Sequence, residues 1–307
     1  MKKIIMRNDF SKKVEDILSS NKKAVFITGD LGYNALENVQ KTAGNRFINA
    51  GVAEQNMIGV AAGLAYKGFE TFTYSIAPFA VYRCLEQIKI DVCIHDLPVY
   101  IVGNGGGYGY GIMGATHHAL EDIGCISTLP NITCWIPAFK EDVEYCLNQI
   151  TKNKKPAYLR LGLGKPYPQK LEINPINQII KSTNPNITVI ALGPIVHNAI
   201  DAIGGEKENI DLFTILSIPI LELSEELLKS ISKTKKIIVV EEHVQRGGLG
   251  EYLLSHFANK NIEIKRFVSL HAKGYPSKLY GNQSFHQQES GLDAMNIKNE
   301  INKLLKI

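Results

Sequence analysis

The stretch Asn49-Ala-Gly-Val-Ala-Glu54-Gln-Asn-Met-Ile-Gly-Val-Ala-Ala-Gly63 decides the fold class. A short β-rich run at 46–49 leads into it, a small-residue turn follows, and an apolar helix starts near Ala53. Outward from it the same alternation repeats. Strands are predicted at 24–30, 70–75, 98–103, 132–137 and 157–161, with helices at 53–66, 79–93 and 140–152. Several of these strands, Pro98-Val-Tyr-Ile-Val-Gly103 among them, are continuous apolar runs. That pattern marks strands buried on both faces, as in a parallel sheet covered by helices.

Around 164–186 the chain turns rich in Pro, Asn and Lys and loses its periodicity, which reads as a linker. The alternation then resumes. Strands are expected at 187–192, 211–217, 236–242 and 263–270, and helices at 197–203, 224–232, 248–258 and 296–305. The fold class is therefore α/β: two α/β domains with mainly parallel sheets, at 1–165 and 187–307, joined by a linker at 166–186. A length of 307 residues agrees with two domains. In such sheets ligands lie beyond the carboxyl ends of the strands. The loops to inspect are then Gly29-Asp-Leu-Gly-Tyr-Asn34, the segment at 49–56, Ser75–Phe79, the glycine-rich run at 103–118 and Glu241-Glu-His-Val-Gln-Arg-Gly-Gly-Leu-Gly250.

An apolar share of 45% and a charged share of 21% are ordinary for a globular chain, and the formal net charge is only +4. Basic runs such as Lys152-Asn-Lys-Lys155 carry no interleaved aromatics, so they read as solvated surface and no nucleic-acid partner is expected. The five cysteines include no CxxC pair, which argues against a zinc site or a disulfide framework and suits a reducing cytoplasm. No leader-like apolar stretch and no membrane span are expected. Gly109-Tyr-Gly-Ile-Met-Gly114 matches a dinucleotide fingerprint by letter only. No strand immediately precedes it, and the next strand does not end in an acid.

Three constellations each allow a bland and a chemical reading. Glu54 falls in the first turn of its helix, where the macrodipole alone favours a carboxylate. The helix is unusually apolar, however, and a carboxyl packed there has a raised pKa and can share a proton. Phe79 and Tyr82 open the next helix as core aromatics or as rings that stack on a flat heterocycle. Thr116 suits an N-cap for a short helix, with His117 and His118 beside it as surface residues or as acid–base groups.

Together, and in this order, GDLGYN, GVAEQNMIGVAAGLA, Phe79-x-x-Tyr82 followed by LEQIKIDV, ATHH with LEDIG, and EEHVQRGGLGEYL resemble the transketolase family. The match is to its pyrimidine-binding domain plus its carboxy-terminal domain and covers nearly the whole chain. The resemblance implies a thiamine-diphosphate-dependent transferase that moves a two-carbon ketol unit. It implies that Glu54 hydrogen-bonds the coenzyme's aminopyrimidine and promotes the imino tautomer that deprotonates the thiazolium. Phe79 would stack on that ring, with Tyr82 beside it and Asp30 and Leu31 near the coenzyme. His117 would bond or protonate substrate oxygens. Asn34, Met113, His118 and Arg160 are further substrate-side candidates. The family's GDG…Asn motif, which holds Mg2+ and the diphosphate, is not among the motifs here, so no metal ligand is expected in this chain. An amino-terminal subunit carrying the diphosphate-binding domain, in an α2β2 heterotetramer, is the expected partner. Other readings are the beta subunit of a 2-oxo acid dehydrogenase and a non-catalytic scaffold subunit.

The chain also departs from the family pattern. Aligned without gaps from His117, the family's phosphate-binding His falls at Gly105, its Arg at Leu163 and a sugar-binding acid at Met113. Losing such contacts removes charge-assisted bonds to a phosphate. The expected substrate is thus not an ordinary pentose or hexose phosphate but a modified or nucleotide-linked sugar, or a keto acid. The Glu241-Glu-His243 trio is read as structural, with the glycines after it opening a helix packed close to the sheet.

Overall fold

The computed structural model describes residues 6–205 and 208–306. The amino-terminal half holds strands β1 Ala24–Thr28, β2 Phe47–Asn49, β3 Glu70–Ile76, β4 Val99–Asn104, β5 Thr133–Trp135 and β6 Ala157–Leu161. Its helices are α1 Met6–Ser20, α2 Glu37–Ala43, α3 Glu54–Tyr66, α4 Ala77–Val81, α5 Leu85–Gln87, α6 Asp122–Ser127 and α7 Asp142–Asn153. The carboxy-terminal half holds β7 Ile176–Ile180, β8 Ile187–Leu192, β9 Ile210–Ile215, β10 Ser217–Ile218, β11 Lys236–Glu241 and β12 Arg266–Leu270. Its helices are α8 Val196–Ile203, α9 Glu225–Thr234, α10 Leu249–Asn259, α11 Gln283–Ser290 and α12 Ala294–Leu305.

The first sheet runs β10-β5-β6-β4-β3-β1-β2, and all its strands are parallel except β10. The second runs β12-β11-β8-β9-β7 and is parallel except for β7. β1, β3 and β6 are buried at every position, as strands covered on both faces must be, even though β3 carries polar residues and β6 carries Arg160. Because β1, β2, β3, β4 and β6 are parallel, their carboxyl ends share one edge, and the loops there converge.

Three expectations are revised. The stretch at 166–186 is not all connector, since β7 lies within it and pairs antiparallel with β9. The single helix expected at 79–93 is broken. α4 ends at Val81, α5 is short, and Ile88–Cys93 continues as a π-helical segment. Thr116 does not cap a helix; it closes a 3-10 segment, Gly111–Thr116, and α6 starts only at Asp122. The two halves are interlocked, because β10 follows β9 of the second sheet yet completes the first by pairing with Cys134 and Trp135.

Candidate active site at the strand ends

β1 delivers Gly29–Asn34 to the shared edge. Asp30 and Asn34 adopt left-handed backbone angles, φ 59 and 60°. Such conformations cost energy in non-glycine residues and concentrate at functional sites. Asn49 at the end of β2 donates to Asp30 Oδ1 at 2.8 Å, and Thr28 Oγ1 donates to the Leu31 carbonyl at 2.8 Å. The loop is thus tied to two strands, and Asp30, Leu31, Glu37 and Asn49 line an open cleft of about 470 Å3.

Glu54, the first residue of α3, is 2% exposed. Its Oε1 accepts a bond from Ser75 Oγ at 3.1 Å, and its Oε2 accepts from Arg83 Nη1 at 2.9 Å. The expected dry carboxyl is therefore present, but it is ion-paired. The same guanidinium lies over the Phe79 ring, 4.0 Å from its centroid. On the other side of the group His117 meets Phe79 edge-on at 5.2 Å, and Tyr110 lies 5.8 Å from His117. Tyr110 accepts from Asn104 Nδ2 at 2.9 Å, and burial pushes its hydroxyl pKa up. Glu54, Phe79 and His117, far apart in sequence, are thus brought into one group.

Other candidates are placed elsewhere. Tyr82 turns to α6: its hydroxyl donates to Glu121 Oε2 at 2.9 Å and accepts from the Glu121 N–H at 3.0 Å. Met113 is 53% exposed, and Asn34 is exposed with its N–H donating to Glu37 Oε1 at 2.6 Å. His118 is buried between the domains, against the Gly111 carbonyl at 2.8 Å and the Tyr275 hydroxyl at 2.9 Å. Burial lowers its pKa to about 4, so it is neutral near pH 7. Arg160 does not reach a ligand cleft with a free guanidinium. Nε binds Asp122 Oδ2 at 2.9 Å, and Nη2 binds the carbonyls of Ala119 and Glu242 at 2.7 and 3.0 Å.

At Gly105 the backbone has φ +74°, and a Cβ would fall 2.2 Å from the Tyr110 ring. A side chain there is incompatible with the present position of Tyr110. The Glu241–His243 trio makes structural contacts, in line with its reading from the glycines that follow it. Glu241 accepts from the first N–H groups of α10, Leu249 at 2.6 Å and Gly250 at 2.9 Å. Glu242 accepts from the Tyr108 N–H at 2.6 Å in the glycine-rich loop, and His243 Nε2 accepts from Gly124 at 3.1 Å. The second domain therefore holds the loop that carries His117.

Four site residues were not singled out from sequence: Ser75, Arg83, Tyr110 and Arg7. Arg83 had a signal, since it lies four residues after Phe79, the spacing that puts side chains on one helical face. Arg7 had none. It approaches Tyr74 and Tyr110 closely enough to draw their pKa values down against burial, and its buried Nε has no hydrogen-bond partner among the described residues.

The pyrimidine-binding domain of transketolase matches residues 2–165, and the transketolase carboxy-terminal domain matches residues 178–287. The chain belongs to the transketolase family. It is 31% identical over 261 residues to a subunit of the apulose-4-phosphate transketolase of Actinobacillus succinogenes, spanning 82% of this chain and 83% of that one. The corresponding apulose-4-phosphate transketolase chain from Phocaeicola vulgatus is 29% identical over 274 residues, at 85% and 86%. The 1-deoxy-D-xylulose-5-phosphate synthase of Clostridium tetani is 30% identical over 310 residues; 96% of this chain aligns, but only 48% of the synthase. Among solved structures, a split-gene transketolase described as an inactive β4 tetramer superposes with a TM-score of 0.81, at 25% identity and 99% coverage of both chains. The transketolase of Campylobacter jejuni shares the fold at TM-score 0.81 and 14% identity, with 47% of its length covered.

Family membership makes thiamine diphosphate the coenzyme against which the site is to be tested. The residues fit its pyrimidine half. A planar, nitrogen-rich group, the Arg83 guanidinium, already sits between the Glu54 carboxylate and the Phe79 ring. No helix among the described residues is long and apolar enough to cross a membrane.

Proposed function

We propose that this chain is the carboxy-terminal subunit of a split transketolase, supplying the pyrimidine half of a thiamine diphosphate site. An amino-terminal subunit supplies the diphosphate half with its Mg2+, in an α2β2 assembly. The observation that carries this reading is the grouping of a buried carboxylate, an aromatic face and a histidine at the carboxyl ends of parallel strands. Thiamine diphosphate, when bound, supplies the electron sink for cleaving the bond beside a ketose carbonyl. Glu54 holds a hydrogen bond or a proton at the pyrimidine, in surroundings closed to water. Phe79 offers the stacking face. His117 Nδ1 is engaged by Thr116 Oγ1 at 2.9 Å, which leaves Nε2 to bond or protonate substrate oxygens.

Two further features support the reading. Val52, just before α3, and Val60 and Tyr66 on it are exposed, as are Ile90 of the adjoining π-helical segment and Ile94 just past it. An apolar stretch of this kind next to the site suits a partner chain. The two apulose-4-phosphate transketolase relatives are named for a ketose phosphate outside the common pentoses and hexoses, and a substrate of that class fits this chain. Gly105 and Leu163 give a phosphate no charge.

The test is to co-express the chain with an amino-terminal transketolase subunit. Donor cleavage is then assayed over sugar phosphates, nucleotide sugars and pyruvate, with and without thiamine diphosphate. Glu54→Gln is expected to cut turnover by about 100-fold or more. Unchanged turnover would reassign the chain as a scaffold, and tight Mg2+-dependent coenzyme binding by the chain alone would end the split-site reading.

A further inference from the structure

Arg83 makes two contacts at once. It donates from Nη1 to Glu54 Oε2 at 2.9 Å, and it stacks on Phe79 with 4.0 Å between its guanidinium carbon and the ring centroid. Under the function proposed above, on which this step rests, those are the two contacts the coenzyme's aminopyrimidine would make. We infer that Arg83 is an internal occupant of the pyrimidine seat, which the coenzyme must displace.

A guanidinium suits the role chemically. It is flat, weakly hydrated and lined with N–H donors, so a seat built for a flat aminopyrimidine accepts it. It also answers an electrostatic need. Glu54 is 2% exposed, and apart from Arg83 its partner is the neutral Ser75 hydroxyl. A carboxylate buried without a counter-charge is costly, so in the chain without coenzyme Arg83 holds the site together. The guanidinium can leave easily. Its side chain is 46% exposed, and it lies in the break between α4 and α5, where no regular helix fixes its surroundings. Rotation about side-chain bonds into solvent opens the seat with no backbone shift. Coenzyme loading is then an exchange of one planar donor for another.

The experiment uses the isolated full chain and, as probe, 4-amino-5-hydroxymethyl-2-methylpyrimidine, the free alcohol of the coenzyme's pyrimidine half. Its affinity is measured by titration calorimetry for the parent, Arg83→Ala, Arg83→Lys and the double variant Arg83→Ala/Glu54→Gln, with thermal melts to confirm folding. Removing the occupant is expected to tighten binding about tenfold, from the loss of one stacking and one ionic competitor. Arg83→Lys, which keeps the charge but loses the flat face, is expected to fall between, and it carries the test should Arg83→Ala fail to fold. The double variant should lose the gain. Equal or weaker binding by both single variants overturns the inference, because Arg83 is then part of the seat. The two levels separate cleanly. If Glu54→Gln and Phe79→Ala weaken thiamine diphosphate binding by the reconstituted complex but Arg83 variants bind the pyrimidine no better, only the occupant idea falls. If neither change affects coenzyme binding by the complex, the site reading itself falls.

Discussion

Replacing Arg160 by Met separates a structural arginine from a phosphate-binding one. Arg160 and Asp122 form an ion pair with side chains 5% and 0% exposed, at 2.9 Å. Arg160 Nη2 also bonds two carbonyls, Ala119 from the first domain and Glu242 from the second. Met fills similar space without charge. It leaves the Asp122 carboxylate buried with the Tyr158 hydroxyl at 2.6 Å as its remaining partner. Breaking a buried pair from one side costs about 3–5 kcal/mol, which for a chain of this size lowers Tm by roughly 5–8 °C. Asp122→Asn in the same chain removes the stranded charge, so the double variant should recover roughly 1–3 kcal/mol relative to Arg160→Met alone. Calorimetric or circular-dichroism melts of the parent, both singles and the double read this out. Donor KM of the reconstituted enzyme is measured in parallel below the melting range. The reasoning is refuted if Arg160→Met melts within about 2 °C of the parent while KM for a phosphorylated donor rises tenfold or more, because that pattern belongs to a lost substrate contact.

Two further predictions concern the second domain and its contact with the glycine-rich loop. Burial pushes Glu241 up to about 7, against its bonds to the Leu249 and Gly250 N–H groups. The folded chain then binds the proton more tightly than the unfolded one, so this carboxyl's contribution to stability falls as pH rises from about 4.5 to about 7, by on the order of 3 kcal/mol. Urea midpoints at pH 5 and pH 8 should show Glu241→Gln flattening that slope relative to the parent, whatever it does to absolute stability; an unaltered slope rules the assignment out. Gly107→Ala should destabilise by roughly 3–5 kcal/mol, combining a left-handed backbone with displacement of a bonded carboxylate. Gly107 has φ +64°, and its Cβ would fall 2.4 Å from Glu242 Oε1, which the Tyr108 N–H and Gln283 hold in place. A melt within about 1 °C of the parent would show that the loop adjusts freely.

The readable and unreadable parts of this chain divide along physical lines. α3 and Glu54 were legible because strand end, small-residue turn and apolar helix are local signals. Strands such as β1, β4 and β8 were legible as buried apolar runs. β7 was missed because Asn and Pro dominate its surroundings, and only pairing with β9 makes Ile176–Ile180 a strand. α1 carried a signal that went unread, since Met6, Phe10, Val14 and Leu18 recur every four residues and all are buried.

Charged groups were harder to place than apolar ones, because a charge is defined by its partner and partners are remote. Glu54 meets Arg83 across 29 positions, Arg160 meets Asp122 across 38, and Glu242 meets the Tyr108 N–H across 134. A sequence window gives the type of such a residue and its element; whether water, a ligand or another side chain satisfies it is settled by topology. β2, β3 and β4 run parallel, so the loops that leave their carboxyl ends share one edge, and these are the loops that carry Glu54, Phe79 and His117. The same order leaves Arg160, at the end of β6, beneath the second domain, where a free guanidinium would be intolerable and an ion pair with Asp122 becomes necessary. The chemistry of two arginines in one domain thus diverges by position alone: Arg160 is locked by burial, and Arg83, half in solvent at the break after α4, remains free to exchange.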